Sequence, residues 1–245
     1  TLLQNCAVLD DQNAVVVLTG KVFLPDETVY GYTGWYGMDL ITATRIAALI
    51  NVGSGPNTMD DLPQYFFEQH LVIRDNDGRI VRHGHEVRVT GRPVYRSDSE
   101  NRRCEIYADK IESLMPESVL QPKDLTIEEL TNDNNVDECK DLEFTRQFVR
   151  LHGQLRVDKD TSICQLGYCK VTFKDLTGSG SAKFLSGEGA NHMALLPENF
   201  SIQDLKVWDK SGELVENSNV NLVGVVHATD ANFCEMIVYE VERGE

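Results

Sequence analysis

Residues 71–81 read LVIRDNDGRIV, and residues 205–215 read LKVWDKSGELV. Both stretches place alternating apolar residues around Asp-x-x-Gly, the pattern of two short strands joined by a tight turn. The similarity extends outward, because aligning residue n with residue n + 133 pairs Cys6 with Cys139 and several glycines with glycines. Matches in one order and one register indicate that the chain contains two copies of one fold.

The length supports a two-domain organisation. The chain has 245 residues, so each copy has about 110, enough to bury a core. We predict a first domain at residues 1–113, an acidic linker at 114–143 and a second domain at 144–245. No apolar run approaches the ~18 residues of a membrane-spanning helix, so we expect no membrane partner.

The charge is strongly acidic but uneven. A net charge of −16 opposes wholesale coating of nucleic acid, since phosphate neutralisation requires Lys and Arg. Residues 70–110 nevertheless hold nine Lys or Arg against seven Asp or Glu, whereas the rest of the chain holds 14 against 32. Half of the first copy is therefore electrostatically distinct, and the remaining acidic surface fits a basic protein partner.

Each copy follows a strand pattern over most of its length. The clearest alternation predicts that Val87 and Val89 point into a core, while Arg88 and Arg92 point outward. Residues 38–50 fit either a strand or a helix, because a short apolar run does not distinguish the two.

The order of the strand motifs carries a family resemblance. Four motifs support it: Leu18-x-Gly20-x-Val22, Asp75-x-x-Gly78-x-Ile80, Gly84-x-x-Val87-x-Val89-x-Gly91, and Cys104-x-Ile106 ending in Ile111-Glu112. With these motifs the chain resembles tandem oligonucleotide/oligosaccharide-binding (OB) proteins of the replication protein A-like, single-stranded nucleic-acid-binding superfamily. The resemblance implies an all-β fold with short helices, built as two OB-type small β-barrels in tandem. It also implies single-stranded DNA or RNA as the ligand.

The resemblance suggests where such a ligand would bind. Outward side chains on these strands of an OB barrel line a groove, in which arginines meet phosphates and aromatic rings stack on bases. The predicted nucleic-acid-binding residues are Arg74, Arg88, Arg92, Trp35, Tyr36 and Tyr95. The alternative is that these aromatic residues belong to the core and that the arginines mark a solvated face.

The second copy has diverged at the same positions. Trp208 stands where the first copy has Arg74, and Val225 stands where it has Arg92. Because cations are replaced by apolar groups, we predict that Trp208 and Val225 belong to a protein-docking surface.

The six cysteines leave two interpretations open. The favoured one is that they are buried thiols in a reduced, intracellular compartment, either cytoplasm or nucleus. The alternative is one disulfide in each domain of an exported protein. Cys164 and Cys169 lack the paired spacing of a structural zinc site, so we predict no metal there.

No catalytic motif is present in the sequence, and we predict neither an enzyme nor a cofactor. The glycine-rich stretches lack the lysine and helix start of a phosphate-binding loop. The favoured function is non-enzymatic binding, with nucleic acid on the first barrel and a protein on the second. The alternative is a protein–protein adaptor with an acidic surface and no nucleic-acid binding.

Overall fold

The structure is a computed structural model. It describes residues 2–23, 31–32, 35–41, 45–63, 66–97, 102–131, 136–160, 162–165, 167–215, 219–229 and 234–244. The chain divides into two compact units, Thr1–Met115 and Pro116–Glu245.

The first unit has one helix ahead of its strands. Its elements are α1 (Leu2–Asp11), β1 (Val16–Phe23), β2 (Gly31–Tyr32), β3 (Trp35–Ile41), β4 (Arg45–Val52), β5 (Thr58–Met59), a 3₁₀ turn (Glu68–His70), β6 (Ile73–Arg74), β7 (Ile80–Val81), β8 (Glu86–Ser97) and β9 (Arg102–Ser113).

The second unit repeats this arrangement after an added N-terminal segment. Its elements are α2 (Glu117–Leu120), β10 (Lys123–Leu125), α3 (Ile127–Thr131), α4 (Val136–Thr145), β11 (Val149–Arg156), β12 (Ile163–Gln165), β13 (Tyr168–Lys174), β14 (Ser179–Ser186), β15 (His192–Met193), a 3₁₀ turn (Ile202–Asp204), β16 (Asn219–Ala228) and β17 (Cys234–Arg243).

Five strands close into a ring in each unit. In the first unit the ring runs β1–β3–β4–β9–β8 and returns to β1. In the second it runs β11–β13–β14–β17–β16 and returns to β11. The β4–β9 pair of the first ring and the β14–β17 pair of the second are parallel. The other four pairs of each ring are antiparallel. The expected mostly β fold with small OB-type barrels is therefore confirmed, and the fold has few and short helices.

The rings close with the help of equivalent glycines. A β-bulge lies between Thr90 and Gly91 in the β8–β9 pair, and another lies between Val223 and Gly224 in the β16–β17 pair. A Cβ at Gly91 would collide with the carbonyl oxygen of Tyr107. Bulges of this kind bend a strand so that a small barrel closes.

Other contacts also recur at equivalent positions. The carboxylate of Asp10, at the end of α1, accepts a hydrogen bond from the backbone of Tyr95 at 2.8 Å. Glu143 of α4 does the same for the backbone of Ala228 at 3.1 Å. The helix that precedes each barrel is thus attached to β8 in the first unit and to β16 in the second by a half-buried hydrogen bond. This bond satisfies a backbone N–H near a strand end.

Each barrel has its own apolar core. In the first unit the core includes Val22, Leu40, Ile46, Ile50, Met59, Leu71, Ile73, Val87, Val89, Ile106 and Ile111. In the second it includes Leu125, Ile127, Leu151, Leu155, Val171, Phe173, Phe184, Val207, Val220, Leu222, Val226 and Val241.

Disulfides connect each N-terminal helix to its barrel. Cys6 is bonded to Cys104 and Cys139 to Cys234. Cys164 is bonded to Cys169 across the β12–β13 pair. The interpretation as free thiols is therefore corrected in favour of one equivalent disulfide in each unit. The reason is that helix and last strand bring cysteines from the two ends of each copy together.

Two other expectations are resolved by the strand pairings. Residues 38–50 are strand wherever they are described, because β3 and β4 pair along their length. The segment 114–143, expected to form a linker, lies instead almost wholly in the second unit. The segment is rich in acidic residues, but its apolar side chains, including Ile127 and Leu142, are buried in the second core.

Candidate nucleic-acid interface

The outward side of β8 has the alternation that the sequence predicts. Val87 and Val89 are buried, while Arg88 and Arg92 are about half exposed. The alternation on β8 continues past the bulge because the extra residue, Asp109, lies on β9. Arg88 and Arg92 therefore share one face of the barrel.

Further cations join them from the neighbouring strand. Lys110 of β9 lies opposite Thr90, and Arg103 lies opposite Arg96. We call this surface the β8–β9 face, defined by Arg88, Arg92, Arg96, Arg103, Tyr107 and Lys110. Arg96, Arg103, Tyr107 and Lys110 were not among the six predicted binding residues. Their adjacency depends on the hairpin register, which a single strand's sequence pattern does not contain.

Carboxylates lie beside these cations. Arg88 is 3.9 Å from Glu112, Lys110 is 3.0 Å from Glu112, and Arg92 is 3.7 Å from Asp109. These pairs are largely solvent-exposed, and exposed pairs contribute little free energy. A phosphate could therefore replace the carboxylate in such a pair at little cost.

One carboxylate on this face is different because it is buried. Glu105 is 2% exposed, and it forms ion pairs with Arg96 at 3.4 Å and with Arg103 at 3.2 Å. Arg96 also donates to the hydroxyl of Tyr107 at 3.2 Å. These contacts hold two guanidinium groups and a phenol ring in fixed positions, which reduces the entropy lost on binding a ligand.

The third predicted arginine lies elsewhere. Arg74 is on β6, which joins the sheet through β5 at the end of β4. It forms a bidentate ion pair with Asp60, and this hydrogen-bonded carboxylate raises the pKa of Arg74. The structure therefore does not place Arg74 on the β8–β9 face.

Tyr95, one of the three predicted aromatic residues, is also separated from the arginines. Tyr95 has the opposite parity to Arg92 on β8 and lies across from Cys104, on the side of the hairpin that is linked to α1. The backbones of Trp35 and Tyr36 belong to β3, but their side chains lie outside the described part of the structure. Tyr107 is the aromatic residue that the register places beside Arg92.

In the second unit the position equivalent to Arg92 is apolar and covered. Val225 is fully buried and packs with Ile237, Tyr239 and Phe148 in a small cluster separate from the barrel core. Arg146 donates to the hydroxyl of Tyr239 at 3.1 Å. These neighbours cover Val225, which therefore does not offer an exposed docking side chain. The alignment of the two copies does not show such contacts. Trp208 remains half-buried, and it is bridged to Leu214, which is 44% exposed.

The two aspartates of the repeated hairpin have a structural role. Asp75 accepts hydrogen bonds from the backbones of Asp77, Arg79 and Ser113. Asp209 accepts from the Ser211 hydroxyl and from two backbone N–H groups of its turn, and Arg243 approaches within 2.9 Å.

The Ser211 hydroxyl is the largest of the causes that lower the pKa of Asp209 to about 2. These Asx-turn contacts close the tight turn that the Asp-x-x-Gly pattern predicts.

Two possible roles find no support in the described residues. None of the groups formed by their His, Cys, Asp and Glu side chains has three or more members placed to hold a metal ion. Within the same part of the chain, no helix has the length and apolar character needed to cross a bilayer.

Comparisons with known proteins find similarity among solved structures. No protein-family model and no curated protein matches the sequence. The structure is similar to a crystal structure of a deletion mutant of the single-stranded DNA binding protein from Thermus aquaticus, with a TM-score of 0.23 and 13% identity. The match covers 94% of each chain. The strand pairings of the two units, and not this similarity, establish the fold.

Proposed function

We propose that the first unit binds single-stranded DNA or RNA on the β8–β9 face and that the second unit binds a protein. The observation that carries the first part is the concentration of five partly exposed cations on two adjoining strands, beside Tyr107. Three carboxylates, Glu105, Asp109 and Glu112, oppose them, so the face keeps an excess of positive charge in a chain of net charge −16. Cations on a barrel wall track a phosphate backbone, and a tyrosine ring accepts a stacked base.

The test is an anisotropy titration with fluorescein-labelled dT and rU oligonucleotides of about 20 nucleotides, repeated over a range of salt concentrations. In R88A/R92A, binding should weaken. The negative slope of log K against log salt should become shallower by about 1.4, since each single-strand phosphate contact contributes roughly 0.7 to its magnitude.

K140A/K159A is the matched control, because both lysines are exposed in the second unit and their loss changes the net charge equally. The same slope in R88A/R92A as in the control would show that the ligand does not contact this face.

The protein-binding part is supported by the hairpin of the second unit. Trp208 and the exposed Leu214 lie opposite each other in a backbone bridge, and tryptophan is enriched among the residues that dominate binding energy at protein interfaces. A partner should bind the wild-type protein and be lost from W208A/L214A, while I202A, which removes another exposed apolar side chain, should retain it. If neither oligonucleotide binds at low salt, the adaptor function becomes the explanation for both units.

The cysteines support a proposal about the compartment. We infer that the protein works in an oxidising environment, because all six cysteines are paired and disulfides persist mainly in such compartments. This favours the exported alternative over the intracellular location expected from the sequence. A thiol titration of the unfolded, unreduced protein should detect no thiols, and six thiols would restore the intracellular assignment.

A further inference from the structure

The second unit has a groove that none of the predicted residues lines. It encloses 980 Å³ beside strands β11, β13 and β16. The segment around Leu125 and Thr126 forms one wall, and the turn after β13, including the fully exposed Leu176, forms another. The volume is within the usual range for small-molecule sites. The barrel therefore presents a concave surface that is separate from the β8–β9 face.

The groove carries unneutralised positive charge. Arg156 and Lys174 are exposed and line it. Arg156 donates to the side-chain oxygen of Gln154 at 2.9 Å, and within the described residues neither cation has a carboxylate at ion-pairing distance. His152 also lines the groove, but its Nε2 is 3.3 Å from Asp124. Two full charges are therefore available to a ligand.

Among the described residues that line the groove, the single carboxylate already accepts several hydrogen bonds. Asp175 accepts hydrogen bonds from the backbones of Ile127 and Gly178 and from both the backbone and the hydroxyl of Thr177. Burial alone would raise the pKa of Asp175, but these four hydrogen bonds outweigh it and lower the pKa. The carboxylate thus stays ionised to cap this turn and α3, so its lone pairs are not available to a cation or to a ligand hydroxyl.

The remaining polar lining includes amides and the hydroxyls of two threonines. Asn219, Asn221 and Gln154 line the groove together with the backbones of Gly153 and Gly244. The side-chain oxygens of Gln154 and Asn221 already contact Arg156 and His152, but the amide N–H groups are donors that suit hydroxyl groups. None of the described lining residues is Phe, Tyr or Trp, and stacking on such rings is a main source of affinity for single-stranded bases. The chemistry therefore fits a hydroxyl-rich anion better than a nucleic acid.

The same surface of the first unit has other chemistry. Lys174 pairs with Gln154, whereas at the equivalent place Ile41 pairs with Lys21. Asn221 lies opposite His152, whereas Arg88 lies opposite Thr19. The second unit thus lacks the cations of Arg88 and Lys21. It has gained Lys174 in place of Ile41 and Arg156 in place of Phe23. A comparison of the arginine positions alone misses this shift.

We propose that this groove binds a short acidic oligosaccharide, with Arg156 and Lys174 meeting its carboxylate or sulfate groups and the amides meeting its hydroxyls. The site is independent of the proposed nucleic-acid face, since no residue is shared. Charge-assisted hydrogen bonds to the two cations supply the specificity for an acidic over a neutral sugar.

The test is calorimetric titration of the full chain with three probes. Trigalacturonate carries carboxylates, a heparin-derived tetrasaccharide carries sulfates, and maltotriose is neutral. We expect one acidic probe to bind and maltotriose not to bind. R156A/K174A should weaken the binding at least tenfold, while K140A/K159A, with the same change in net charge, should bind as the wild type does.

Amide NMR provides a second measurement that does not depend on the variants folding normally. The binding probe should shift the backbone signals of Gly153 and Gly244, which line the groove. Failure of both acidic probes to bind, or equal binding by R156A/K174A, overturns the proposal. Maltotriose binding as tightly as the acidic sugars would overturn the role of the cations. R88A/R92A should leave sugar binding unchanged, so this test and that of nucleic-acid binding fail separately.

Discussion

Removal of the Cys139–Cys234 disulfide should destabilise the second unit much more than removal of Cys164–Cys169. The two bonds lie in the same unit but close loops of very different length, with sequence separations of 95 and 5. In the chain-entropy model a cross-link stabilises by restricting the unfolded chain, by about 4.7 kcal/mol for a loop near 100 residues and by about 2 kcal/mol for the short one. C139A/C234A should therefore lose about 2 to 3 kcal/mol more than C164A/C169A.

The chain offers a convenient probe for this measurement. It has two tryptophans, one in each unit, so in a W35F background the fluorescence of Trp208 reports unfolding of the second unit. Each double variant removes two sulfur atoms, so the packing losses partly cancel. With a typical urea dependence, the midpoint for C139A/C234A should lie about 1 M below that of C164A/C169A.

Two results would refute this reasoning. Equal midpoints for the two variants would show that the long loop is already restricted in the unfolded chain. An unchanged midpoint of the W35F protein on full reduction would show that the bonds do not stabilise the unit at all.

Two further predictions concern single residues. Because the folded pKa of Asp209 is about 2 and its usual value is 3.8, its contribution to stability is complete above about pH 4 and is lost as the pH falls towards 2. Acid unfolding of D209N should therefore lack a loss of about 2 kcal/mol that the wild type shows in this range, and identical pH profiles would contradict the assignment. G91A should destabilise the first unit by about 3 kcal/mol, since a Cβ there meets the backbone of Tyr107. G55A is the control because its Cβ would meet nothing within 4 Å, and equal thermal unfolding of the two variants would show that the bulge tolerates a side chain.

Local patterns predicted the elements that depend on neighbouring residues. The alternation at Val87 and Val89 predicted which side of β8 is buried, because side chains of a strand alternate between its two faces. The Asp-x-x-Gly turns predicted the hydrogen bonds of Asp75 and Asp209, because an Asx turn is completed within a few residues.

The candidate site was predicted only in part. Arg88 and Arg92 share a face because they are an even number of residues apart on one strand. Tyr95 and Arg74 do not join them, since parity places Tyr95 on the other side and Arg74 lies on β6. Val225 resembled a surface residue by alignment with Arg92, yet Phe148 and Tyr239 cover it. Alignment of two copies identifies equivalent positions but does not show what packs on them.

The sequence by itself therefore determined the inward and outward sides of β8, the repeated hairpin and the presence of two similar units. The first two follow from the spacing of nearby residues, and the third follows from matches in one order and one register. Tertiary structure decided the closure of each five-stranded ring, the partners of the cysteines, the grouping of Arg96, Arg103 and Tyr107, and the cationic groove of the second unit. These features join residues far apart in sequence, and their positions depend on strand register and on the bulges that bend the barrels.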